Sequence, residues 1–113
     1  MNNLMTIGGQ QAVIAFDPDI NLFRGEFIGL AHGGADFYAS DVAGLRAEGE
    51  ASLRVYLEMC REDGAEPFRS FSGKFNVRIP PDLHAACAAA AASSGKSLNQ
   101  WIAESLEHAA LEA

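Results

Sequence analysis

The sequence is short of cysteine, of basic residues and of long apolar runs, and each shortage closes off a class of function. Its two cysteines, Cys60 and Cys87, have neither metal-site spacing nor a CxxC arrangement, and one pair makes no disulfide scaffold. Both read as small buried hydrophobes. Eight Lys and Arg stand against fifteen Asp and Glu, and a net charge of −7 taken over the whole chain discourages a nucleic-acid reading. The longest apolar run, Ala85–Ala92, is mostly alanine and falls far short of the ~20 residues that cross a bilayer. The lead-in from Met1 to Gly9 has no basic n-region and no apolar h-region. No signal peptide and no membrane partner are therefore expected, and the expected location is the cytoplasm. Repeats and low-complexity tails are also missing, so solenoids are out. What remains is ordinary globular composition over 113 residues, enough for one domain or two very small ones.

The charge is unevenly placed. Residues 1–72 carry eleven acids against five arginines, a net −6, whereas 73–113 carry four acids against Lys74, Arg78 and Lys96, a net −1. That asymmetry suggests two modules with different partners, and we divide the chain into 1–68 and 69–113.

In the first module, Gln10 to Phe16 is β-prone and runs into Asp17-Pro18-Asp19, a strong turn signal. Leu22 to Leu30 follows as a second strand, and Asp36 to Ala39 as a short third one after the His32-Gly33-Gly34 bend. Ser40 or Asp41 is placed to cap a helix. Val42, Leu45, Gly49, Leu53, Tyr56, Leu57 and Cys60 then recur at three- and four-residue steps, one face of an amphipathic helix. Gly44 and Gly49 each weaken that helix by ~1 kcal/mol relative to alanine, so they either permit close packing on the sheet or mark an irregular helix. Gly64 and Pro67 stop it. The fold class expected is α+β: a small antiparallel sheet with one helix across it.

Catalytic chemistry finds little support. Asp17, Asp19, Glu26 and Asp36 are a conceivable acid cluster for metal-assisted hydrolysis, but the same residues serve as turn formers and solvated strand positions. His32 and Asp36 are four apart, yet the glycines between them speak against a helical metal-binding face. No serine, cysteine or histidine sits in a nucleophile motif. No catalytic residue, metal or cofactor is expected.

The second module opens with Lys74-Phe75-Asn76-Val77-Arg78-Ile79, which alternates strictly between apolar and polar residues. Pro80-Pro81 ends this strand. Leu83, Cys87, Ala90 and Ala91 mark the apolar side of a helix that stops at Ser94-Gly95. Ser97-Leu98-Asn99-Gln100 has the capping-box form, with the Gln100 side chain expected to reach back. The last helix points Leu98, Trp101, Ile102, Leu106 and Ala109 toward a core. A lone strand in some 40 residues has no hydrogen-bonding partner, and the simplest remedy is a two-fold copy whose same strand pairs antiparallel. Lys74, Asn76 and Arg78 would then be displayed twice on a two-stranded ribbon, which fits the major groove. The start of the last helix, with Lys96 and Ser97, suits a phosphate.

Gly73 to Leu106 resembles a ribbon-helix-helix DNA-binding domain. More specifically, Ser72-Gly73-Lys74-Phe75-Asn76-Val77-Arg78-Ile79-Pro80, Leu83-His84 and Gly95-Lys96-Ser97-Leu98-Asn99-Gln100-Trp101-Ile102 are similar to the HicB family of antitoxins. Phe16-Asp17, Phe23-Arg24-Gly25-Glu26-Phe27, Asp36-Phe37, Tyr56-Leu57, Cys60, Gly64 and Pro67 resemble its N-terminal domain. The resemblance implies a partial ribonuclease-H-like first module, without nuclease chemistry, that blocks a HicA-like messenger-RNA-cleaving toxin. It implies a second module that represses the shared operon by binding operator DNA through Lys74, Asn76, Arg78, Lys96, Ser97 and Asn99. A homodimer is expected, with tetramers or larger units as the next order. His84 reads as packing or helix-orienting, and Trp101 as core or interface filling. Two further classes stay open: a stand-alone regulator whose first module senses a ligand or serves assembly, and a nuclease using the acids above.

Overall fold

The computed structural model describes residues 3–111; Met1 and Asn2 of the lead-in, and the last two residues, lie outside the described residues. The chain separates into two units, one ending at Phe71 and the other beginning at Ser72.

The first unit holds four strands and one helix: β1 (Leu4–Ile7), β2 (Gln10–Asp17), β3 (Leu22–Phe27), β4 (Phe37–Ala39) and α1 (Val42–Asp63). The strands form one antiparallel sheet in the order β1-β2-β3-β4. β1 is absent from the sequence expectations. It pairs with β2 through a two-residue Gly8-Gly9 turn in which both glycines have positive φ, +57° and +78°, the twist that a tight hairpin needs. The β2–β3 connection uses the expected Asp17 turn, where the Asp17 carboxylate accepts the Asp19 amide at 3.0 Å. β3 ends at Phe27, earlier than the alternation suggests.

Period-two alternation puts Ile7, Ala12, Gly25, Phe27 and Phe37 on one face, and α1 lies over it. From α1, Leu45, Gly49, Leu53, Tyr56 and Cys60 are buried, in agreement with the helical period. Val42, expected on the same face, is exposed at the helix start. Asp41 is the cap, its carboxylate accepting the Gly44 amide at 2.6 Å, and Gly64 ends the helix in the left-handed conformation. Gly49 is there for contact. A Cβ on it would stand 2.5 Å from Ile7 Cδ1 and 2.9 Å from the Phe37 ring.

After α1 the chain returns along the sheet edge. Leu30 and Phe68 form an antiparallel bridge, the Arg69 amide donates to Gly29 O at 2.8 Å, and the Ala31 amide donates to Pro67 O at 3.0 Å. The strip 66–69 is thereby stitched to 28–31, across the division after residue 68 drawn from the sequence.

The second unit contains α2 (Pro81–Ser93) and α3 (Leu98–Leu111), which pack on each other. Proline at the first position of α2 suits its fixed φ and missing amide. Ala91 is the one buried side chain among the described residues of these helices. Leu83, Ile102 and Leu106, expected to face a core, are exposed, and Cys87 is half-buried. Two helices of this length cannot enclose an interior by themselves. No helix among the described residues is long and apolar enough to cross a membrane.

Candidate functional site

The candidate ribbon begins where Gly73 turns the chain at φ +84° and the Ser72 hydroxyl accepts the Lys74 amide at 3.1 Å. From Lys74 to Ile79 the backbone forms neither helix nor paired strand within the described residues. The side chains of Lys74, Asn76 and Arg78 are exposed, and so are those of Phe75 (72%) and Val77 (66%) between them. Large apolar groups and unpaired backbone amides thus face water together. The apolar groups carry the cost of exposure, and the solvated amides leave an open edge along which another strand can pair.

Lys96, Ser97 and Asn99 gather at the start of α3. The Ser97 hydroxyl accepts the Gln100 amide at 3.1 Å, so half of the capping box is made. The expected return bond from the Gln100 side chain is replaced, because that amide donates to Glu104 at 3.5 Å. Lys96 pairs with the same Glu104 carboxylate, and the ammonium holds it below the usual carboxylate range. A cleft of about 350 Å³ at this place is lined by Ser94, Lys96, Trp101, Glu104, Ser105 and His108. Sequence reasoning did not single out Glu104. Its signal was spacing: seven residues after Ser97, it falls on the same helical face as the cap. No hydrogen bond or ion pair among the described residues joins the Lys74–Asn76–Arg78 group to Lys96–Ser97–Asn99.

In the first unit, a groove of about 610 Å³ runs between α1 and the 32–35 loop, with Val55, Tyr56, Met59, Cys60 and Asp63 on the helix side. Val55 and Met59 are exposed there. The Tyr56 hydroxyl is pushed above its usual pKa by burial, while the amide donated by His32 pulls the other way. His32 Nε2 meets Glu66 O at 2.9 Å, a structural contact. The acids weighed for metal chemistry are dispersed: Asp17 holds its turn, whereas Asp36, at 2.6 Å, and Glu26, at 3.6 Å, flank Arg24. Asp36 keeps the guanidinium above its usual range. Among the described residues no three His, Cys, Asp or Glu side chains are placed to hold a metal ion.

A model of the HicB family matches residues 56–106, from Tyr56 in α1 to Leu106 in α3. Over that stretch the chain is similar to a family of antitoxins, and it contains the whole candidate ribbon and all six candidate contact residues. No curated protein and no solved structure matches the chain.

Proposed function

We propose that the chain is the antitoxin of a type II toxin–antitoxin pair, with its second unit acting as a dimeric ribbon-helix-helix operator-binding module. The observation that carries this reading is the segment 74–79: exposed Phe75 and Val77 alternating with Lys74, Asn76 and Arg78, without a strand partner, inside the stretch similar to the HicB family. Pairing with the same segment of a second copy would satisfy the backbone, cover the apolar side and leave six polar side chains for the major groove. The sparse burial in α2 and α3 supports the same demand, since four helices enclose what two cannot.

The first unit then takes the toxin. Its antiparallel strands followed by one helix support the partial ribonuclease-H-like reading. Its excess of acids suits a small basic RNA-handling protein, with charge speeding encounter and shape supplying most of the affinity. The groove along α1 favours a second reading, a stand-alone regulator that senses a ligand there.

Two measurements test these readings. The full chain should shift duplex DNA from upstream of its own coding sequence, and the variant Lys74→Ala/Asn76→Ala/Arg78→Ala should stay dimeric but lose that shift. Unaltered binding by the triple variant would rule out the ribbon as the reader. Co-purification from the native host at low salt, with mass identification, separates a bound basic protein from a small ligand.

A further inference from the structure

Lys96 stands one residue before the Ser97 cap, at the positive end of a 14-residue helix whose first turn carries no acid. A phosphate is drawn to such a place by free amides and by the ammonium group. The structure, however, already supplies Lys96 with an anion. Glu104 reaches back two turns along α3 to pair with it, and Gln100 donates to the same carboxylate from between. The Lys96 and Glu104 side chains are 37% and 46% exposed, so solvent and an incoming anion can both reach the pair.

We propose that Glu104 is an internal competitor for the phosphate-binding cation, so that DNA must displace this carboxylate before Lys96 can meet the backbone. The inference rests on the DNA-binding reading of the second unit. The ammonium has three donors, but a carboxylate and a phosphate that share it are two anions held close together, and their mutual repulsion sets them in competition for Lys96. Glu104 therefore sets affinity without touching DNA. The effect is independent of base sequence, because phosphate contacts position the protein and carry no sequence information themselves. Gln100 has the accessory part of orienting the carboxylate.

The test measures binding of the full chain to a short mixed-sequence duplex over a series of salt concentrations, for wild type, Glu104→Gln, Glu107→Gln, Lys96→Ala and Lys96→Ala/Glu104→Gln. Glu107→Gln removes the same charge from the same helix and so measures the general electrostatic gain. Exposed ion pairs are weak, so Glu104→Gln should tighten binding about two- to fivefold per protomer. Glu107→Gln should gain less, and the double variant should bind no more tightly than Lys96→Ala. Lys96→Ala should also flatten the salt dependence by about 0.9 per protomer. The proposal is overturned if Glu104→Gln gains no more than Glu107→Gln, if the gain persists without Lys96, or if Lys96→Ala binds as wild type does. Failure of the wild type to bind any duplex at the lowest salt would instead remove the DNA-binding reading, and this inference with it.

Discussion

The hydroxyl of Tyr56 stands between the backbone of His32 and that of Pro67, accepting the His32 amide at 3.2 Å and donating to Pro67 O at 2.7 Å. One side chain of α1 thus fastens two loops that the sequence separates by 35 positions. Tyr56→Phe keeps the ring, leaves the His32 amide without this acceptor and takes one of two donors from Pro67 O, which keeps the Ala31 amide. It should destabilise the first unit by about 1–3 kcal/mol in urea unfolding. Hydrogen exchange at the Ala31 and Arg69 amides should quicken in the same variant, because they hold the neighbouring bonds of the strip. Unchanged exchange there would mean that Tyr56 does not fasten the strip.

Gly49 offers a contest between two effects of known size. Alanine is worth about 1 kcal/mol over glycine in a helix interior. Here its Cβ would press on Ile7 and Phe37, and overpacking costs about 1–3 kcal/mol. Packing should win, leaving Gly49→Ala less stable than wild type by thermal melting. Gly25→Ala is the harsher case, since its Cβ would lie 2.2 Å from two carbons of the Phe37 ring.

The proposed dimer predicts an effect for a residue that a single chain leaves in water. Val77→Asp changes an exposed position here, and as a monomer feature it should alter stability by about 0.5 kcal/mol or less. Inside a paired ribbon, the same carboxylate would be buried without a partner, at a cost of several kcal/mol. Sedimentation should therefore show a dimer for the wild type and a monomer for the variant at micromolar concentration. A well-folded wild-type monomer would defeat the dimeric reading.

Acidification should open the Lys96–Glu104 pair. The Glu104 carboxyl titrates below its usual range because Lys96 donates to its charged form, so the pair is complete above the ordinary carboxylate pKa. Its contribution falls away as pH drops through the lowered folded value. Side-chain NMR of the free protein should follow this titration, and Lys96→Ala should return Glu104 to the ordinary range. An ordinary value in the wild type would mean that the pair does not form in solution.

Much of the first unit was legible because its signals are local. Asp41, the Leu45-to-Cys60 period and Gly64 describe a helix from cap to stop, and all three do what their residue types suggest. Val42 shares that period but stands exposed at the first position of the helix, directly after the Asp41 cap. β1 escaped notice because four residues carry too little alternation; the Gly8-Gly9 pair was its only strong mark. The strip 66–69 was illegible for another reason, since backbone groups and one hydroxyl hold it. At the candidate interface the polar–apolar alternation of 74–79 was plain. Glu104 was not, because an acid eight positions from Lys96 carries no local mark of the pairing that the fold brings about.

The exposed stretch from Phe71 to Val77 has a consequence for the lifetime of the protein. A protease needs several consecutive residues of unpaired backbone, and this stretch presents them beside large apolar side chains. In the proposed dimer a partner strand would withdraw that substrate, and dilution would then become a route to degradation. Newly made chains would be cleared until enough copies meet, and turnover would rise as synthesis falls. Under the proposed reading, the segment assigned to the operator would also time how long the chain persists.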